Sequence, residues 1–479
     1  MTISRRDVLA GSAALAALSP FGARAIAAPL PRDADVVVIG AGVAGIGAAR
    51  RIMAAGRKVI VIEAASAIGG RCVTDATSFD VPFDRGARWL YNTETNPAAK
   101  LARGVGMELY PAPRGQRIRI GRRNARAGEA EDFLATLVRA NRAIGDAVRG
   151  KADMPAAAGL PKDLGVWAGT TDFLLGAYAT GKDLKDLSAL DLVAMAQRDG
   201  PSACRQGVGA LIAKLGEPLP VVLSTPVTRV AWSGRDAQLE TPAGTINAKA
   251  VVMTASTNAL LSGKIKFAPD LPKRQQDAAS KLTLGSYDHI ALELPGNPLG
   301  LARDDIVIEQ STDRSTGFLF ANLGGSSLCQ VDVAGSFGAE LSARGEANMV
   351  AFATEWLTKL FGSDIKSLVK RSTATRWNDV PHVFGAMAAA APGGQPARKV
   401  LMEPMGAVFF AGDAIHDTQW GTVGGAWESG ERAADAALRK LGGFKDAPVA
   451  DDTRKPRRSQ SRATAEPAPQ RGGLFWPRN

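Results

Sequence analysis

Histidine, cysteine and long apolar runs are all scarce in this 479-residue chain. The three cysteines, Cys72, Cys204 and Cys329, are too few and too scattered for a disulfide framework or a thiolate metal site. They read as buried free thiols, although one disulfide among them stays open. The three histidines, His289, His382 and His416, have no metal-ligand spacing, so no metal is expected. The one candidate apolar run, Val8–Leu18, falls well short of the roughly 20 residues that span a bilayer. Asp80 and Asp84 are neighbours in sequence but show no sign of a shared cleft, and no hydrolytic triad stands out. Positive charge is not scarce, at a formal +11, but residues 1–28 hold +2 of it and residues 454–479 hold +6, leaving +3 on the body. That distribution offers no basic face for nucleic acid.

The apolar run has a different use. It follows Ser4-Arg5-Arg6-Asp7 and precedes a small-residue cleavage site near Ala27–Ala28. Residues 1–28 therefore resemble a twin-arginine export signal, which is read by the twin-arginine machinery and carries folded proteins to the periplasm. Export in the folded state suits a protein that takes up a cofactor first. At the other end, residues 445–479 are rich in Pro, Arg and Ser and read as a disordered basic tail.

Between these ends, Asp35–Ile39, Val43–Ala55 and Val59–Ile62 read as a strand, a helix and a strand. Gly40, Gly42 and Gly45 form G-x-G-x-x-G in the first connection. Gly40 permits the tight turn, Gly42 lets a pyrophosphate approach the backbone, and Gly45 lets helix and strand pack closely. Val43 and Ala44 would present helix-terminal N–H groups to the phosphates. Glu63, followed by Ala64 at the end of the second strand, is placed to accept hydrogen bonds from ribose hydroxyls. This is a dinucleotide site, but the spacing alone does not separate NAD from FAD. Residues 93–204 show few strand signals; Phe133, Leu137, Ile144 and Val148 recur at helical spacing, so the region reads as a helical insertion on the substrate side. Strand-like stretches resume at Val221 and continue through Asp288–Leu294, Ile306–Glu309 and Gly317–Leu323.

Gly70 and Arg71 close a glycine pair directly after Glu63, as in flavoproteins, and a second glycine-rich turn, Gln419–Gly430, enters a helix near the end of the chain. With these features the sequence resembles the flavin amine oxidase family of monoamine oxidases, polyamine oxidases and flavin-dependent histone demethylases, across residues 34–440. The resemblance implies FAD. It places Gly86, Ala87, Arg88 and Trp89 beside the flavin ring and the Val227 backbone at the adenine. It also places Gly412 and Asp413 at the ribityl chain and pyrophosphate. Gly421, Thr422, Val423 and Ala426 fall at a helix start aimed at the flavin pyrimidine, whose negative charge on reduction a helix dipole stabilises. One ligand would then be held by both ends of the chain.

Three positions depart from the family pattern. His289 stands where a lysine near the flavin N5 is usual, and could keep a positive charge there only if protonated. Ala386 stands where covalent members carry a flavin-linking cysteine, which implies non-covalent FAD. Met387 and Thr422 replace the paired tyrosines of the monoamine oxidase cage, leaving Trp89 and Trp420 as possible aromatic walls to a substrate site with Met387.

The expected fold is α/β, a Rossmann-like FAD-binding domain with a second α+β substrate-binding domain. The first is drawn from residues 34–92, 205–283 and 396–443, and the second from 93–204 and 284–395. The implied chemistry is oxidation of a small amine at its C–N bond, with dioxygen as acceptor and hydrogen peroxide as product. A dehydrogenase serving a periplasmic electron carrier, a desaturase or protoporphyrinogen-oxidase-like enzyme, and a decayed FAD-binding protein remain alternatives. Nothing in the sequence sets the oligomeric state.

Overall fold

The computed structural model describes residues 30–112, 116–195, 198–362 and 365–442; the expected export signal and basic tail lie outside them. Two sheets organise the chain. The first uses β1 (Asp33–Ile39), β2 (Val59–Ile62), β5 (Val221–Val222), β6 (Arg229–Ala231), β7 (Ala237–Thr241), β8 (Gly244–Met253), β9 (Lys266–Ala268) and β15 (Val408–Phe410), in the order β9-β6-β7-β8-β1-β2-β5. β8 is long enough to serve two neighbours on one edge: its first half pairs antiparallel with β7 and its end pairs parallel with β15. Around β1 the sheet is parallel, β1 pairing with both β2 and β8.

Parallel strands covered on both faces need apolar side chains in both directions, which is why "VVVI" runs without alternation. Val36 and Val38 face one layer, with α1 (Val43–Ala54), α3 (Val208–Gly216) and α5 (Val423–Leu441), while Val37 and Ile39 face a second core with Val251 and Phe410.

The second sheet uses β3 (Gln116–Ile120), β4 (Arg123–Asn124), β10 (Tyr287–Glu293), β11 (Ile306–Glu309), β12 (Phe318–Phe320), β13 (Leu328–Ala334) and β14 (Arg371–Ala374), in the order β14-β10-β13-β12-β11-β3-β4. One of its faces packs on α4 (Glu346–Phe361) through Leu292, Val331, Val333, Met349 and Leu357. The other meets the helical region around α2 (Ala127–Val148), whose Phe133, Leu137, Ile144 and Val148 are buried as their spacing predicts.

The reading of residues 93–204 as helical needs correction. β3 and β4 extend the second sheet, and Leu109–Pro111 pairs with Ser202–Cys204. The sequence of β3, Gln-Arg-Ile-Arg-Ile, carries the polar–apolar alternation of a strand, but over only five residues of which Ile118 alone is buried, and the helical reading of the region passed over it. Its strand character comes from pairing with β11, a partner more than 180 residues away in sequence.

The first and last helices of the first domain touch through glycines. A Cβ on Gly430 of α5 would lie 2.0 Å from the Ala44 carbonyl oxygen of α1, and one on Gly47 would press on the Trp427 ring at 3.2 Å. Alanine normally stabilises a helix interior by about 0.5–1 kcal/mol over glycine. Gly430→Ala is expected to do the reverse, costing about 2 kcal/mol or more, because Ala44 is backbone and cannot yield. Gly145→Ala in α2, where a Cβ meets nothing nearer than 3.9 Å, is expected to be neutral or stabilising. Urea midpoints of the two variants check the pair, and equal effects would refute the close contact.

Candidate active site

A cavity of about 720 Å³ runs from the β1–α1 turn to the start of α5 and reaches the second sheet. At the first end, Gly40 sits at φ +106°, a left-handed region open to glycine, with the Thr254 hydroxyl where a Cβ would be. Gly45 does not line the cavity; its Cβ would lie 1.9 Å from the Gly40 carbonyl oxygen, which is the helix–strand contact its spacing implies. Gly42 is different. A Cβ there would meet no protein atom closer than 3.8 Å, so the protein itself does not require glycine and leaves that space to a ligand.

Gly42 caps α1 without a side chain, so the first amides of the helix, beside Val43 and Ala44 in the cavity wall, have no capping partner. Glu63 receives the Ala41 amide at 2.6 Å and the Ala65 amide at 2.7 Å, which locks the loop containing Ala64 against the glycine turn. Val227 lines the same end, and no hydrogen bond to its backbone is found among the described residues.

Midway, the two ends of the chain are joined by charge. Arg71 donates to both carboxylate oxygens of Asp413, at 2.5 and 3.1 Å, and to the Ala386 carbonyl. The Ala388 amide also reaches Asp413. Burial would raise the Asp413 pKa, but the Arg71 guanidinium outweighs it and holds the carboxyl below its ordinary range. Gly70 and Gly412 line the wall here, and a Cβ on Gly412, at φ +146°, would project into open space. Gly86 is held so close that a Cβ would lie 2.0 Å from the Arg71 carbonyl oxygen, which brings Ala87, Arg88 and Trp89 to the wall. Cys72 is buried, its thiol pushed up to about 12 by burial and the nearby Asp84, which fits a packed thiol.

At the far end Gly421 turns at φ +68° into α5. Thr422 lines the cavity with Val423 and Ala426, but its hydroxyl is committed: it donates to the Gln419 carbonyl and accepts the Gly425 amide as the helix cap. Met387 lines the wall; Trp420 does not. Trp420 is 0 % exposed, packed between the Arg398 and Arg198 guanidiniums, so its expected place as a substrate wall is corrected to core. Asp80 and Asp84 share no cleft: Asp84 caps α3 through the Val208 and Gly209 amides, while Asp80 meets Arg371 at the surface.

The second sheet contributes a buried polar cluster. His289 on β10 stands directly opposite Asp332 on β13 in the register, so their side chains share a face. Nδ1 lies 2.6 Å from Asp332 Oδ1, and Nε2 lies 3.0 Å from the Gly86 carbonyl oxygen. Nε2 thus faces an acceptor, while Nδ1 lies beside both the Asp332 carboxylate and the Gln330 amide nitrogen, the latter at 2.7 Å, so it is the Asp332 charge that favours an imidazolium. Burial lowers the His289 pKa, but Asp332, the Gly86 carbonyl and Asp288 raise it further, to above its ordinary 6.5. The charge therefore stabilises the fold below about that pH and its contribution fades as pH climbs through the folded value. Asp332 also accepts from Tyr287 at 2.8 Å and from Gln330 at 2.6 Å. Tyr178 and Tyr287 are held as neutral phenols by burial and by Asp332.

Sequence reasoning missed Asp332, Gln330, Tyr287, Tyr178, Tyr91 and Arg198, all of which line the cavity. A signal existed for two of them: Gln330 and Asp332 alternate with valine in "QVDVA", and polar residues inside a fully buried strand demand partners.

The residues present fit FAD: a glycine cradle with an uncapped helix start at one end, and a second helix start beyond a buried ion pair at the other. Comparison with known proteins agrees. A family model described as flavin containing amine oxidoreductase matches residues 43–153 and 157–438. The human lysine-specific histone demethylase 2 is 26% identical over 85% of this chain, which spans 54% of that protein's length. Probable polyamine oxidase 4 of Arabidopsis thaliana is 25% identical over 85% of this chain and 87% of its own. Among solved structures, a putrescine oxidase double mutant superposes with a TM-score of 0.71 at 19% identity, covering 85% of this chain and 99% of its own. Cyclohexylamine oxidase from Brevibacterium oxydans gives 0.70 at 21%, with the same coverage.

Histidine ring-nitrogen NMR tests the polar cluster. His289 is expected to titrate above the ordinary imidazole value, and Asp332→Asn is expected to move its titration downward. A His289 titration that ignores Asp332→Asn would sink the assignment.

Proposed function

The chain belongs to the flavin-containing amine oxidoreductase family, and we propose that it oxidises a small amine at its C–N bond using FAD held without a covalent link. Its fold is the α/β arrangement of that family, a nucleotide-binding domain joined to an α+β substrate domain. The observation that carries the proposal is the single cavity in which the glycine cradle, the Arg71–Asp413 pair and the His289–Asp332–Tyr287 cluster all open.

When bound, FAD accepts the hydride equivalent from the carbon beside nitrogen. The amine nitrogen loses a proton, and water hydrolyses the resulting imine to a carbonyl compound and an amine or ammonia. The chain's residues favour this in two ways. The starts of α1 and α5 aim amide dipoles at the two negative regions of the nucleotide. Two arginines without a carboxylate partner among the described residues, Arg88 and Arg198, line the reaction end, and nearby positive charge disfavours ammonium against the neutral amine that can react. Ala386 presents only a methyl group to the cavity, which supports a non-covalent cofactor.

Dioxygen as acceptor, with hydrogen peroxide as product, is the first reading. A second is favoured by one observation: both His289 nitrogens are engaged by protein groups, so the ring has no free N–H to hold a relay water of the kind the usual lysine serves. Electrons would then pass to a periplasmic carrier. Export to the periplasm through the twin-arginine machinery is part of the proposal and rests on residues 1–28. A desaturase or porphyrinogen-type enzyme would call for a long apolar tunnel, whereas Tyr91, Tyr178, Tyr287 and Arg198 rim this end.

Anaerobic mixing of the purified holoprotein with a panel of primary and secondary amines is expected to bleach the flavin absorbance. Admitting air restores colour with peroxide release in the first reading, and restores it only slowly in the second. Absence of bleaching with every amine would establish a decayed site.

A further inference from the structure

Arg198 is the least explained charge in the cavity. It lies at the reaction end: its Nη2 comes within 3.7 Å of where a Gly421 Cβ would stand, at the start of α5. Its guanidinium faces the Tyr91 ring at 5.5 Å and the Trp420 ring at 5.7 Å. Nη1 and Nη2 donate to the Ala179 and Trp420 carbonyls, at 3.0 and 3.2 Å, and these contacts anchor the group without neutralising it. Nε is buried and has no hydrogen-bond partner among the described residues. Burial pushes the guanidinium down from its ordinary value, with Tyr91 opposing.

The carboxylates of the cavity wall are already engaged. Glu63 holds two loop amides, Asp413 holds Arg71, and Asp332 holds His289, Tyr287 and Gln330. None of them, and no other described carboxylate, pairs with Arg198. Nor does any pair with Arg88, which bonds only the Gln330 amide oxygen, at 3.3 Å, and lies over the Trp89 and Phe320 rings. Arg198 is half-buried, and a cation partly removed from water without a counter-charge is costly to fold. A planar guanidinium matches a carboxylate in shape as well as charge.

Resting on the amine-oxidising function proposed above, we infer that the substrate is an amino carboxylate and that Arg198 binds its carboxylate group. The wall offers nothing to a second ammonium, because every described carboxylate in it already has a donor. A diamine or polyamine is therefore a poor occupant, although such substrates appear in the names of relatives. The product, once FAD has taken the hydride equivalent (one proton with two electrons), the nitrogen has lost a proton and water has hydrolysed the imine, is an oxo acid and ammonia.

The test uses matched pairs on the holoprotein: phenylalanine against phenethylamine, lysine against cadaverine, and 6-aminohexanoate against hexylamine. Anaerobic flavin bleaching and steady-state kcat/KM are read for each, with Arg198→Gln and Arg198→Lys beside the native chain. The expected result is a higher kcat/KM for an amino carboxylate than for its partner lacking the carboxylate. Arg198→Gln should then erase that preference by about 30-fold or more, chiefly through KM, and Arg198→Lys should restore part of it. The α-amino and 6-amino acids separate an adjacent carboxylate from a distant one. Bleaching by the plain amines with no preference for carboxylates would overturn the inference and leave the amine-oxidising function standing. Bleaching by none of the six would instead count against that function. A fall in kcat equal for all substrates would overturn it too, because it assigns Arg198 to the reduced flavin. Flavin content and thermal midpoint of both variants show that they are folded.

Discussion

Arg71 and Asp413 meet as a bidentate pair, although one follows the first βα unit and the other precedes the last helix. The pair sits midway along the cavity, so whatever fills that cavity touches both chain ends at once. An ion pair so placed is a poor source of net stability, since desolvating both groups offsets most of their attraction. What it supplies is specificity of arrangement. Arg71 also bonds the Ala386 carbonyl and Asp413 accepts the Ala388 amide, so one pair fixes the glycine loop, the β15–α5 connection and the strip that carries Met387. Removing either partner would leave a buried charge alone, whereas removing both would loosen three segments of the wall. The glycine contacts between α1 and α5 act in the same direction: they permit an approach that any side chain at Gly430 would prevent.

Charge in the cavity follows a consistent rule. Each carboxylate has a donor, and the unneutralised groups are cations that collect at the reaction end. Such a field lowers the affinity for ammonium, favours electron-rich states of a bound flavin, and leaves a vacancy for an anion. An amine that brings its own negative group would meet all three. The field therefore links reactivity to selectivity through one arrangement of arginines and a histidine.

Local features of this architecture were legible in the sequence; long-range pairings were not. Gly40, Gly42 and Gly45 lie within six residues of one another and form a motif readable from spacing alone, although the atom that crowds Gly40 is the distant Thr254 hydroxyl. The same holds for the spacing of Phe133, Leu137 and Ile144 on α2. By contrast, the short Arg-Ile alternation of β3 gives no hint of its partner, and its place in the second sheet comes from pairing with the distant β11. Trp420 is a large aromatic beside a glycine turn, and nothing local distinguishes a cavity wall from the core behind it. Arg198 and Asp332 carried no motif, because their meaning depends on which strands and helices the fold sets beside them.

His289 shows how far a single position can be read from either side. From the sequence it was a histidine in place of a lysine, useful only if it kept a proton. The register of β10 and β13 supplies the condition by placing Asp332 directly across from it. A lysine ammonium is a compact charge that needs little help to stay protonated, whereas a buried imidazole tends to lose its proton. Substituting histidine therefore requires a carboxylate partner, and Tyr287 and Gln330 fix that partner in place by donating to it. The result is an imidazole whose proton Asp332 favours and whose two ring nitrogens are both committed to protein groups. Oxygen chemistry that relies on charge alone survives such an exchange, while chemistry that relies on a proton relay does not.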